Sequence, residues 1–159
     1  MLRSFAALVV SALVAASATA DEKFVRLVNV DTGKVLSVKD DSDEGGARTV
    51  LAKLDANNKA QQWEVKRDGK HFSLVNRKSG KVLDVNEDSR EEGASIIIWD
   101  AKDDDVDNQR WAWEGEGKER RLKSKSSEMV LDVDDEGQII QKKADDKAKK
   151  QLWRIEEVK

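Results

Sequence analysis

Residues 79–85 read "SGKVLDV", and the phrase returns twice, as "TGKVLSV" at 32–38 and "SEMVLDV" at 127–133. Leu36, Leu83 and Leu131 hold the same place in it, 47 and 48 residues apart. Each phrase is answered downstream by Gln-x-Trp: "QQW" at 61–63, "QRW" at 109–111 and "QLW" at 151–153. Two independent landmarks in the same order, three times over, mark an internal repeat of three units.

Inside each unit apolar residues alternate with polar ones. Leu36 and Val38 share one strand face with Ser37 on the other, and Trp63 and Val65 flank Glu64 in the same way. That is the period of half-buried strands. "LVN" followed by Thr32-Gly33 in the first unit, and by Ser79-Gly80 in the second, predicts a strand, a hairpin turn and the Val-Leu strand. The third unit carries Ser127-Glu128 at this place, so its turn is expected to differ. Four short strands per unit fit either a propeller blade or one third of a closed trefoil. Propellers need about 4–8 blades, so three units are expected to close a small barrel with one Trp from each in its middle. The fold class expected is all-β, a β-trefoil of three pseudo-symmetric four-strand repeats at about 24–70, 71–118 and 119–159.

The first twenty residues carry Arg3, an apolar stretch from Phe5 to about Ala16, and Ala18-Thr19-Ala20 at their end. This pattern reads as a secretory signal over 1–20 cleaved before Asp21. It turns polar too soon for an anchor, and no second apolar segment follows, so membrane insertion is not expected. The expected mature protein is a single domain at 21–159, exported to the extracellular space or the periplasm. It has no Cys, which excludes disulfides, thiol redox chemistry and thiolate metal sites. Of 29 basic residues Arg3 leaves with the signal, so 28 stand against 32 acidic ones, intermixed along the chain. No basic stripe is present to track a phosphate backbone, and nucleic acid is not an expected partner. No Gly-, Ser- or Pro-rich linker separates the repeats, and Pro is absent altogether.

Three Gln-x-Trp elements, each preceded by the Val-Leu phrase, resemble the ricin B-type lectin family over about 24–159. The resemblance implies a β-trefoil fold and carbohydrate binding. Gln61, Trp63, Gln109, Trp111, Gln151 and Trp153 recur in every repeat and are expected to be structural, the Trp residues in the core and the Gln amides satisfying backbone groups. Trp113 alternates with Trp111, aligns with Val65 and Ile155, and is expected in the core as well.

Trp99 is different, because counting along the repeats places Ala52 and Gln141 opposite it in the other copies. A core shared by all three repeats does not demand an aromatic there, and a non-repeated indole is a candidate contact surface. Asp84, on the polar side of the Val-Leu strand, precedes Trp99 by fifteen residues, and Asn108 follows it by nine. A carboxylate that accepts from neighbouring hydroxyls, an amide and a flat ring form a set suited to sugars. The resemblance implies sugar-binding roles at these same positions. Two departures accompany it: Ile97 stands where the family often has Gln, and Val82 and Ala101 occupy the places of a family disulfide. The first repeat offers only Ser37, Ala52 and Ala60. The third keeps Asp132 but has Lys150, and its Leu131-to-Trp153 span is 22 residues against 28 in the second.

Asp103, Asp105, Asp107 and Glu114 imitate the spacing of a calcium loop, but its sixth position requires Gly and holds Asn108, and no helix flanks it. A solvated acidic loop is expected instead, with no metal and no cofactor. The single His71 has no catalytic partner in the sequence and reads as a surface residue. Nothing in the spacing singles out a hydrolytic carboxylate pair, and no enzyme activity is expected. The reading is therefore a secreted, monomeric, lectin-like module with one sugar site in the second repeat, the resemblance pointing to galactose-type glycans. The alternative is a degenerate trefoil that serves as a protein-interaction or inhibitor scaffold, with loops such as "DDSDEGG" at 40–46 making the contacts.

Overall fold

The computed structural model describes residues 23–159; the signal segment expected at 1–20 and its cleavage before Asp21 lie outside them. Twelve strands follow one another in three sets of four. The first set is β1 (Phe24–Asn29), β2 (Val35–Val38), β3 (Thr49–Ala52) and β4 (Trp63–Asp68). The second is β5 (His71–Asn76), β6 (Val82–Val85), β7 (Ile96–Trp99) and β8 (Trp111–Glu114). The third is β9 (Arg121–Ser124), β10 (Val130–Val133), β11 (Ile139–Lys142) and β12 (Trp153–Glu157).

The outer strands of the sets form a ring. Antiparallel pairing runs β1–β4, β4–β5, β5–β8 and β8–β9, and β12 returns to β1 over Val25–Asn29. A bridge between Arg120 and Trp153, with N–H···O distances of 2.9 and 2.8 Å, closes the ring between β9 and β12. Closure leaves the barrel without a free edge. The inner strands pair as three hairpins, β2–β3, β6–β7 and β10–β11, and single bridges Arg48–Ile97, Ser95–Ile140 and Val50–Gln138 join them into a cap. This is the β-trefoil that the repeats predict.

The repeated phrases fill the interior. Trp63, Trp111 and Trp153 are fully buried, together with Leu27, Leu74 and Leu122 from the ring and Leu36, Leu83 and Leu131 from the hairpins. The indole of Trp63 donates to Leu36 O at 3.3 Å and that of Trp111 to Leu83 O at 3.1 Å, tying ring to cap. The buried indole nitrogen of Trp153 has no such partner. Trp113, Val65 and Ile155 pack half-buried against this core, and Arg120 lies over the Trp113 ring at 4.9 Å.

The third turn corrects one expectation. Glu128 N donates to Ser124 O at 3.0 Å, as Gly33 does to Asn29 O at 2.9 Å and Gly80 to Asn76 O at 2.8 Å. The turn is therefore the same in all three repeats. Glu128 adopts the left-handed backbone, φ 60°, that Gly33 and Gly80 adopt at φ 69° and 71°. The strands on either side fix the geometry, and Glu128 bears a steric cost of about 1–2 kcal/mol that glycine does not. Glu128→Gly is expected to stabilise the protein by about 0.5–1 kcal/mol, the gain being reduced by the greater chain entropy of unfolded glycine. A urea titration reads the change as a higher midpoint with unchanged slope.

Candidate carbohydrate site

Strand pairing settles which residues correspond. Val82 faces Trp99, Val35 faces Ala52 and Val130 faces Lys142. Lys142, not Gln141, is thus the third-repeat counterpart of Trp99. Eleven residues join β7 to β8 where ten join β11 to β12, so an equal count back from the Gln-x-Trp tryptophan lands on Gln141, one position short. Gln141 instead takes the core place of Leu51 and Ile98. It is buried with its amide satisfied: Nε2 donates to Ser89 O at 2.8 Å and Glu91 O at 3.0 Å, and Oε1 accepts from Ser127 Oγ at 2.7 Å.

In the second repeat, β6 carries Asp84, β7 ends on Trp99, and a single 3-10 turn at Asp107–Gln109 presents Asn108 and Gln109. The structure brings Asp84, Trp99 and Asn108 to one cavity of ≈ 390 Å³, lined also by Asn86, Glu87, Ile97 and Lys102. Asp84 is only 2% exposed, and its carboxylate is held from two sides. Asn108 Nδ2 donates to Oδ1 at 3.0 Å and Gln109 Nε2 to Oδ2 at 2.8 Å. A carboxylate has about four acceptor positions, so two remain for a ligand. Trp99, 43% exposed, supplies a flat apolar wall.

Asn108 is committed inside the protein. Its second N–H goes to Val85 O at 3.0 Å, and its oxygen accepts from the Lys102 ammonium at 3.0 Å. Its part in this structure is to orient Asp84 and Lys102, which leaves donation to the lysine, whose ammonium has further N–H groups. Sequence reasoning missed Lys102, which sits among five acids at 100–107 and looks like part of a solvated loop. It also gave Gln109 too small a role. Gln109 does satisfy the backbone, accepting from Lys102 N at 3.0 Å and donating to Asp100 O at 2.9 Å, but the same Nε2 grips Asp84. Because the Gln recurs in every repeat, only the Asp beside it distinguishes this use.

Burial pushes the Asp84 carboxyl above its ordinary range. The bonds from Gln109 and Asn108 and the charge of Lys102 oppose the rise, and Asp88 adds to it.

The other two repeats lack the arrangement. In the first, Ser37 and the buried Ala60 stand where Asp84 and Asn108 do, and Gln61 Nε2 serves Lys53 O alone at 2.9 Å. In the third, Asp132 still accepts from Gln151 Nε2 at 2.8 Å, but Lys150 stands in the place of Asn108. Its ammonium lies 3.4 Å from Asp132 and 3.0 Å from Val133 O, filling the space where the second repeat has an amide.

The acidic stretch after Trp99 is drawn into ion pairs along the surface: Asp100 with Lys81 at 2.7 Å, Asp107 with Lys125 at 2.7 Å, Glu114 with Lys123 at 3.1 Å. Among the described residues no three His, Asp or Glu side chains converge in a metal-holding arrangement. His71 opens β5 half-buried; burial, and then the charges of Lys125 and Lys70, hold its imidazole below the usual range.

Comparison with solved structures bears on the fold. A designed threefold-symmetric protein, ThreeFoil, superposes with a TM-score of 0.77 at 29% identity, over 83% of this chain and 96% of its own. An exo-β-1,3-galactanase from Clostridium thermocellum, 1,3Gal43A, gives 0.76 at 30% identity over 85% of this chain, which spans only 30% of that enzyme's length. A lectin from Polyporus squamosus, solved with a sialylated galactose epitope, gives 0.73 at 14% identity and shares the fold, over 84% of this chain and 48% of its own. No protein with a curated description matches. The model of the ricin-type β-trefoil lectin domain-like family matches residues 13–99, more than half of the 159, and takes in Asp84 and Trp99. The chain belongs to the ricin-type β-trefoil lectin family, a fold typical of carbohydrate-binding modules and generally non-catalytic.

Proposed function

We propose that this protein is an exported, monomeric carbohydrate-binding module with one sugar site, the second-repeat cavity. The observation that carries the reading is the convergence of Asp84, Lys102 and Trp99 on one cavity, with Asn108 and Gln109 holding the carboxylate from behind. Its ≈ 390 Å³ lies near the lower end of ligand sites, which fits one or two sugar rings. Asp84 accepts from two hydroxyls, Lys102 donates to a third oxygen, and the indole covers a C–H face. A galactose-type unit is the first choice, supported by the 30% identity to part of the exo-β-1,3-galactanase.

A glycan array tests the reading, with Trp99→Ala as its control. Hits that contain terminal galactose and vanish with the variant support it; an array without hits favours the protein-scaffold alternative. The sign of the Asp84 shift adds a second arm. Because the folded protein holds the proton more tightly than the unfolded chain, the carboxylate acceptor is lost as pH falls through a value above the ordinary 3.8. Protonation there relieves a buried charge, so Asp84 adds stability rather than removing it as the pH drops. Sugar binding is expected to fail on acidification before the protein unfolds, which titration of affinity beside circular dichroism shows directly.

A further inference from the structure

One side of the Trp99 indole rests on the loop between β2 and β3, in the first repeat. A Cβ placed on Gly45 would stand 3.3 Å from the ring's Cε3 and 3.4 Å from its Cζ3, and one on Gly46 would stand 3.5 Å from Cζ3. The loop is tied to β7 beside the ring: Gly46 N donates to Ile98 O at 2.8 Å, and Ile98 N to Ala47 O at 2.9 Å.

The two glycines answer to different demands. Gly46 has φ +89° and Gly93, at the same place in the next repeat, +84°, so this backbone requires glycine in both. Gly45 is outside that region, and its counterpart in the second repeat is Glu92. The Glu92 carboxylate accepts from Lys143 N at 3.0 Å, so the loop accommodates a full side chain at this point. Two departures from threefold repetition therefore meet in space. Tryptophan stands where the other repeats have Ala52 and Lys142, and it lies on a glycine where the next loop has glutamate.

We propose that Gly45 is a positioning residue for the second-repeat site: lacking a Cβ, it lets the Trp99 indole lie flat on the first repeat's loop and leaves the other side of the ring to the cavity shared with Asp84. The site is thus assembled from two repeats. A methyl group at 3.3–3.4 Å is tighter than an ordinary contact, and the ring, exposed on its far side, yields toward the cavity. The effect on affinity rests on the sugar reading; the effect on the ring does not.

The experiment uses 5-fluorotryptophan-labelled protein, with the Trp99 signal among the five assigned by Trp99→Phe. Gly45→Ala is expected to shift that signal and Gly45→Val to shift it further. The other four signals and the urea midpoint stay in place, and Glu92→Ala, at the equivalent position, moves nothing. Affinity for methyl β-galactoside falls about threefold with Ala and about tenfold with Val. A Trp99 signal unmoved by either variant overturns the proposal, whatever the wild type binds. A shifted signal with unchanged affinity overturns the role in binding. Wild-type protein that binds no sugar overturns the carbohydrate reading alone, and the fluorine spectrum still decides whether Gly45 sets the ring.

Discussion

Trp111→Ala is expected to destabilise the protein by about 3–5 kcal/mol, with Trp63→Ala and Trp153→Ala close behind. Each indole is fully buried where ring and cap meet, so truncation leaves a cavity bounded by the Leu residues of two strand layers. A domain of this size has about 5–15 kcal/mol in total, and one such change removes a large share. Trp99→Ala is expected to cost within about 1 kcal/mol, since the ring is 43% exposed and lies against the loop glycines Gly45 and Gly46. Denaturant midpoints separate the classes: a Trp99→Ala protein as unstable as the other three would make Trp99 a core residue and remove the aromatic from the site. Substitution by Phe refines the comparison. Trp111→Phe gives up the bond to Leu83 O and leaves that carbonyl a poorer environment, whereas Trp153→Phe removes a nitrogen that has no partner. The second is expected to be the milder by about 1 kcal/mol.

The same comparison of copies that predicts these effects made the fold legible. Three Val-Leu phrases and three Gln-x-Trp elements are the contacts by which ring and cap meet, so their repetition reports the architecture itself. Trp99 was legible for the opposite reason, as an aromatic the symmetry does not require. Four residues were not legible in this way. Glu128 breaks the Ser-Gly signal, yet strand pairing on both sides holds it in the turn that glycine prefers, because several ladder bonds outweigh one strained residue. Gln109 repeats everywhere, so nothing in its own identity shows that it also holds Asp84. Lys102 and Gly45 act across turns and between repeats, where separation along the chain says little about distance in space. The one extra residue between β7 and β8 displaced the third-repeat alignment by one position, and in a strand one position exchanges a core side chain for an outward one.

Asp84→Ala is expected to reduce sugar affinity about a hundredfold or more, roughly 3 kcal/mol. The carboxylate lines the cavity as its acceptor, and it also anchors Asn108 Nδ2, which in turn places the Lys102 ammonium. Its loss removes one polar contact and loosens the other. Asp132→Ala removes the same residue type at the same strand position and is expected to leave affinity unchanged, because Lys150 fills the space above it and Lys142 replaces the indole. Ser37→Ala should likewise be silent, with Ala52 and Ala60 at the places of Trp99 and Asn108. Calorimetry on a confirmed monomer is expected to return one site per chain. A monovalent chain cannot draw on the gain of about 10²–10⁴ that multivalency brings, so it should coat glycan surfaces without agglutinating cells. A stoichiometry near two or three, or binding that survives Asp84→Ala and disappears with Asp132→Ala, would move the site out of the second repeat. Agglutination by the monomer would do the same, since cross-linking needs at least two sites on one particle.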